Sequence, residues 1–133
     1  MADTKTNSKI LIVEDDIENQ RFYKLILSRK YDVDFCDSDK SFYTKLVAKD
    51  YDLIIMDITL REGKSGIELT KEIKSSKVFS TTPVLCLSAH VFEQDKRVAL
   101  EAGVDVYLEK PASNKVLFDT IEKLINETNA QKS

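Results

Sequence analysis

Glycine, proline and cysteine are scarce in this 133-residue chain, which has three glycines, two prolines and two cysteines. So little glycine and proline excludes a collagen-like or low-complexity chain. Two cysteines are too few for a disulfide scaffold, and Cys36 and Cys86 are expected to be reduced core thiols. A basic excess is also missing. Lys+Arg number 20 against 23 Asp+Glu, a formal net charge of −3, so direct nucleic-acid binding is not expected. No apolar run approaches the ~18 residues that a membrane span needs. The polar start from Met1 to Lys9 lacks the apolar core of a signal peptide. The compartment expected from these features is the cytoplasm, with no membrane insertion. What remains, at 42% hydrophobic and 32% charged residues, is an ordinary globular domain.

The few glycines and prolines carry information by position. Gly63, Gly66, Gly103, Pro83 and Pro111 all fall between apolar segments, as turn punctuation should. Ile10-Leu11-Ile12-Val13 is short, β-branched and unbroken, the pattern of a strand buried on both faces. Phe22, Leu25, Ile26 and Arg29 follow at i, i+3, i+4 and i+7 and predict a helix. Val33-Asp34-Phe35-Cys36 alternates, as a strand near a sheet edge does. Ser38 or Asp39 is placed to cap a helix holding Phe42, Leu46 and Val47.

The pattern then repeats. Leu53-Ile54-Ile55-Met56 is a second buried strand, followed by a helix over Ile67–Ile73. Val84-Leu85-Cys86-Leu87 is another buried strand, followed by a helix from Phe92 to Ala102 that Gly103 stops. Val104 to Leu108 reads as a fifth strand. A last helix from near Ser113 carries Leu117, Ile121, Leu124 and Ile125 on one face, and the polar tail after Asn126 is expected to fray. A β-α unit repeated five times implies a parallel sheet with helices on both faces, in one α/β domain.

In such sheets ligands bind at the carboxyl ends of the strands. Strand one ends in Glu14 and Asp15, strand three in Asp57, strand four in Ser88, and strand five is followed by Lys110. Three carboxylates facing one crevice repel one another, and a hard divalent cation such as Mg²⁺ relieves that repulsion. With Lys110 added, the set suits an anion held beside a metal, which is what phosphoryl transfer requires. Three acids are consecutive, so two metal pairs fit: Glu14 with Asp15, or Asp15 with Asp16. The unbroken run from Val13 favours the first and leaves Asp16 as a helix cap.

Four segments, each at a strand end and in order, resemble the response-regulator receiver domain of two-component signalling. They are Ile10 to Asp16, Tyr51 to Asp57, Leu87 to His90, and Ala102 to Pro111, and the likeness runs from about Ser8 to Ile125. The resemblance implies a flavodoxin-like (βα)5 doubly wound sheet of order 2-1-3-4-5. It implies a receiver over 8–126, with 1–7 and 127–133 as polar flexible termini. Asp57 would accept a phosphoryl group from a phosphohistidine on a histidine kinase or histidine phosphotransfer protein. Glu14, Asp15, Asp57 and the carbonyl of Thr59 would hold Mg²⁺ or Mn²⁺. Ser88 and Lys110 would bind phosphoryl oxygens, and the small Ala89 would leave the approach open. Tyr107 would turn inward as Ser88 moves, shifting a downstream-partner surface on helix four, strand five and helix five. Thr59 and His90, the chain's only histidine, would tune dephosphorylation.

The chain departs from the family in one place. Arg61 stands where many receivers carry proline, and the loop to Gly66 is one residue longer. Two other classes fit less well. A phosphatase of the haloacid-dehalogenase type needs an aspartate two residues after its nucleophile, where this chain has Thr59. A flavodoxin-like cofactor binder needs a Ser/Thr-rich phosphate loop where this chain has Glu14-Asp15-Asp16. The expectation is therefore a signalling phosphoacceptor and not an enzyme. It is either a single-domain regulator or a receiver cut from a hybrid kinase or larger regulator.

Overall fold

The computed structural model describes residues 6–57, 64–89, 93–110 and 112–132. Thr59, Arg61, Gly63, His90, Phe92 and Pro111, named above, lie outside the described residues. The elements run β1 Lys9–Val13, α1 Ile17–Leu27, β2 Asp32–Cys36, α2 Asp39–Ala48, β3 Leu53–Asp57, α3 Gly66–Lys74, β4 Val84–Ser88, α4 Glu93–Ala102, β5 Val106–Glu109 and α5 Asn114–Lys132. The strands form one parallel sheet in the order β2-β1-β3-β4-β5, the flavodoxin-like (βα)5 arrangement expected.

The unbroken apolar runs make the central strands. β3 and β4 are buried at every residue, and β2, with its Asp32 and Asp34, lies at the edge. Alternation sorts their side chains into two cores. Ile10, Ile12, Leu53, Ile55, Leu85 and Leu87 pack with Leu27 of α1 and Leu117 and Ile121 of α5. Leu11, Val13, Ile54, Met56, Val84 and Cys86 pack on the other face with Phe42 of α2, Leu69 of α3 and Ala99 of α4. Cys36 and Cys86 are free and buried.

The structure adds detail to the helices. The inward stripe of α1 is Tyr23 and Leu27 with Ile26 packed beside them, while Phe22 and Leu25 are 49% and 67% exposed. The spacing of Phe22, Leu25 and Ile26 is helical, but the wider face containing Tyr23 meets the sheet. In α2, Phe42 and Leu46 are buried but Val47 faces solvent, because it lies off the contact stripe. α5 continues past Asn126 to Lys132. Thr128 is buried, and its hydroxyl donates to the Leu124 carbonyl one turn back at 2.9 Å. Capping follows the sequence more closely. Ser38 caps α2, and the Ser113 hydroxyl accepts from the Val116 amide at the start of α5.

The bottom of the sheet is fastened by Lys74 of α3, whose ammonium donates to the Thr82 carbonyl (2.8 Å) and to Asp105 Oδ2 (2.9 Å). Gly103 turns the chain beneath it with φ of 112°, and a Cβ there would meet Lys74 Cγ at 2.7 Å. Gly103→Ala should therefore destabilise the fold by about 1–3 kcal/mol, through backbone strain and displacement of Lys74. Urea unfolding of the variant beside the wild type measures this.

Candidate functional site

β1 and β3 are adjacent and parallel, with Val13 opposite Met56. Side chains 10, 12 and 14 of one chain segment and 53, 55 and 57 of the other alternate in the same phase. The chain leaves β1 for β2 on one side and reaches β3 on the other, so this pair is where the strand order reverses. Glu14 and Asp57 therefore stand side by side at the carboxyl edge of the switch point, where α/β sheets hold ligands.

Glu14, Asp15 and Asp57 each offer a carboxylate oxygen within 4.8 Å of the others. Glu14 and Asp57 are 2% and 7% exposed, and Asp15 is half-buried. Lys110 places its ammonium 3.6 Å from Asp57 Oδ2 and 3.7 Å from Glu14 Oε1. Its position follows from the sheet: Ser88 is in register with Glu109, and the Lys110 amide donates to the Ser88 carbonyl at 2.7 Å. Ser88 is buried at the end of β4, with the exposed Ala89 beside it. Tyr107 is 8% exposed and packs inward with the core of α2, α3 and α4.

Asp16 is the N-cap of α1, with its carboxylate accepting from the Asn19 amide, so it is held away from the cluster. Of the two acid pairs left open by the sequence, Glu14 and Asp15 lie with Asp57.

Ionised, the three carboxylates carry three negative charges, and among the described residues Lys110 sets one ammonium against them. Burial, and next the charge of Asp57, push the Glu14 carboxyl up to about 7. Burial together with the charges of Glu14 and Asp57 pushes the Tyr23 hydroxyl up to about 12. The Cys86 thiol is also pushed up to about 12, by burial first and then by Asp57, so it stays protonated. This donor set fits a hard divalent cation: all oxygen, net negative and partly dehydrated. The cluster Glu14, Asp15 and Asp57 is positioned to coordinate one. The Thr59 carbonyl, expected as a further ligand, lies outside the described residues.

Two residues of this site had no signal in the sequence reading. The Asn19 side-chain amide donates to Glu14 Oε1 at 3.2 Å, and that of Gln20 donates to the Glu14 carbonyl. Their only available clue was position, in the first turn after a capping aspartate. Asn19 and Lys110 also line a cavity of about 210 Å³ with Phe22, Tyr23, Leu87, Ala112 and Leu117.

Fold and site together define a phosphoryl-handling α/β module with a divalent-cation site at its switch point. The chain belongs to the response regulator receiver domain family, whose model matches residues 10–122. It is 30% identical over 124 residues to the transcriptional regulatory protein ResD of Bacillus subtilis, covering 92% of this chain and 50% of that protein. It is 33% identical over 126 residues to hybrid signal transduction histidine kinase I of Dictyostelium discoideum, covering 88% of this chain and 7% of that one. The chain thus spans about half the length of the first relative and a small part of the second. Among solved structures it resembles the receiver domain of sensor histidine kinase PA1611 from Pseudomonas aeruginosa, which carries a magnesium ion in its active site cleft. The TM-score is 0.82 at 27% identity, covering 91% of this chain and 99% of that one. As a receiver domain the chain is a signalling phosphoacceptor and not a turnover enzyme. No described helix is long and apolar enough to cross a membrane.

The Glu14 carboxyl sets a pH dependence. Its folded value near 7 lies above the ordinary 4.5, so without metal the native state holds the proton more tightly than the unfolded chain. This group's contribution to stability is therefore full below 4.5 and is lost as pH rises to about 7. A cation needs the carboxylate, so Mg²⁺ should raise the melting temperature more at about pH 8 than at about pH 5.5. A thermal-shift series with and without Mg²⁺ checks the sign.

Proposed function

We propose that residues 8–126 take a phosphoryl group from a phosphohistidine, on a histidine kinase or a histidine phosphotransfer protein, onto Asp57. A carboxylate oxygen of Asp57 attacks phosphorus, the P–N bond to the imidazole breaks, and the leaving imidazole takes up a proton. The product is an aspartyl phosphate, a mixed anhydride. The observation that carries this reading is the convergence of Glu14 and Asp15 on Asp57 with Lys110 3.6 Å from its carboxylate.

In this reading Glu14, Asp15 and Asp57 hold Mg²⁺ or Mn²⁺, with the Thr59 carbonyl as a further ligand. The bound cation supplies charge neutralisation between these acids and the incoming phosphoryl oxygens. Lys110 ion-pairs with one phosphoryl oxygen and the Ser88 hydroxyl donates to another. Ala89, exposed beside Ser88, leaves room for the donor. Thr59 and His90 tune the lifetime of the product.

The output is a shift in a pre-existing equilibrium, carried by Ser88 and Tyr107 to the surface of α4, β5 and α5. α4 exposes Val98 and Leu100 on opposite flanks and α5 exposes Val116, apolar side chains open to a downstream protein. Similarity to both a transcriptional regulator and a hybrid kinase supports a histidine-kinase donor and fits either whole-protein arrangement.

Incubation with acetyl phosphate and Mg²⁺ should add one phosphoryl group to the wild type by intact mass and none to Asp57→Asn. Equal labelling of the two proteins would make another residue the acceptor. Lys110→Met should retain Mg²⁺ binding and lose most of the labelling rate, read from the same time course.

A further inference from the structure

Glu14 is held by more than its own strand. Its Oε2 accepts from the Asp16 amide at 3.1 Å, and its Oε1 accepts from the Asn19 side-chain amide at 3.2 Å. Its backbone carbonyl accepts from the Gln20 side-chain amide at 2.5 Å. Asn19 is itself fixed, because its backbone amide donates to the capping carboxylate of Asp16 at 3.3 Å. The cap thus sets the first turn of α1, and the first turn places the Asn19 amide against Glu14.

We infer that Asn19 is a positioning residue for the cation site, acting through the Glu14 carboxylate. Oε2 takes the Asp16 amide and Oε1 the Asn19 amide, and a carboxylate oxygen has two lone pairs. These two neutral donors, one on each oxygen, fix the rotation of the group. The Asn19 amide is neutral, so it orients Glu14 without cancelling its charge; Lys110, 3.7 Å from the same oxygen, supplies charge. Without Asn19 the carboxylate would have to be ordered by the cation itself, and that ordering would reduce affinity. Removing such an outer partner typically weakens metal binding by about 10–100-fold.

This inference rests on the proposed role of Glu14 as a metal ligand, and the two can be separated. Calorimetric titration with Mg²⁺ gives the affinity, and melting without metal gives the stability. Asn19→Leu should bind Mg²⁺ roughly 10-fold more weakly, beyond any small fall in metal-free melting temperature from the lost hydrogen bond. Asn19→Gln keeps an amide donor and should recover most of the loss; Asn19→Ala stands in should the leucine variant fail to fold. Acetyl phosphate labelling of Asn19→Leu should be slow at limiting Mg²⁺ and return to the wild-type rate at saturation. Wild-type affinity in both Asn19→Leu and Asn19→Ala, beside a clear loss in Glu14→Gln, would overturn the positioning role alone. A lower metal-free melting temperature with unchanged affinity would make Asn19 purely structural. Unchanged affinity in Glu14→Gln would overturn the ligand assignment and the inference with it.

Discussion

Repulsion among three carboxylates at neighbouring strand ends governs this molecule. Two ionised carboxylates about 4 Å apart near a protein surface repel by roughly 4 kcal/mol. Glu14, Asp15 and Asp57 each bring a carboxylate oxygen within 4.8 Å of the others, and among the described residues Lys110 alone sets an ammonium against them. The response visible without a cation is the Glu14 carboxyl, pushed toward neutrality by burial and by Asp57. A divalent cation relieves the same stress and leaves all three acids ionised. The site is in this sense built unstable, and its instability is what selects a hard cation and an anion beside it.

The rest of the fold keeps that stress from relaxing. β1 and β3 cannot slip apart, because their apolar side chains are divided between two cores by phase, and a one-residue slip would turn every side chain to the other face. α1 starts at once after the acids, so Asp16 caps it and its first turn holds Glu14 from behind. β4 and β5 deliver Ser88 and Lys110 to the same edge through one backbone hydrogen bond. Glu14, Asp57, Ser88 and Lys110 each sit where a strand ends, and in the proposed reading the change on phosphorylation spreads along β4 and β5.

Much of this was legible in the sequence because the signals were strong and local. Three unbroken apolar runs ending in an acid or a serine specify both the central strands and what stands at their ends. The α1 face was harder to read. Phe22 and Leu25 are more apolar than Tyr23, yet Tyr23 is buried against the sheet, near the charges of Glu14 and Asp57. Helical spacing reports that a face exists and not which face meets the sheet. The polar composition after Asn126 concealed one further buried position, Thr128, which lies on the same stripe as Leu117, Ile121, Leu124 and Ile125. Asn19 and Gln20 were illegible for another reason: their partner is a buried carboxylate and a carbonyl, and amides on a first turn are ordinary surface residues.

In the proposed reading the acid cluster makes one particular carboxylate, that of Asp57, the acceptor. Borohydride reduces an aspartyl phosphate to homoserine, so peptide mapping after phosphorylation with acetyl phosphate and Mg²⁺ locates the acceptor directly. Homoserine at position 57 alone, absent when Mg²⁺ is chelated, is the result predicted. Homoserine at position 15 or 16, or labelling at position 57 that does not depend on the cation, would contradict the account.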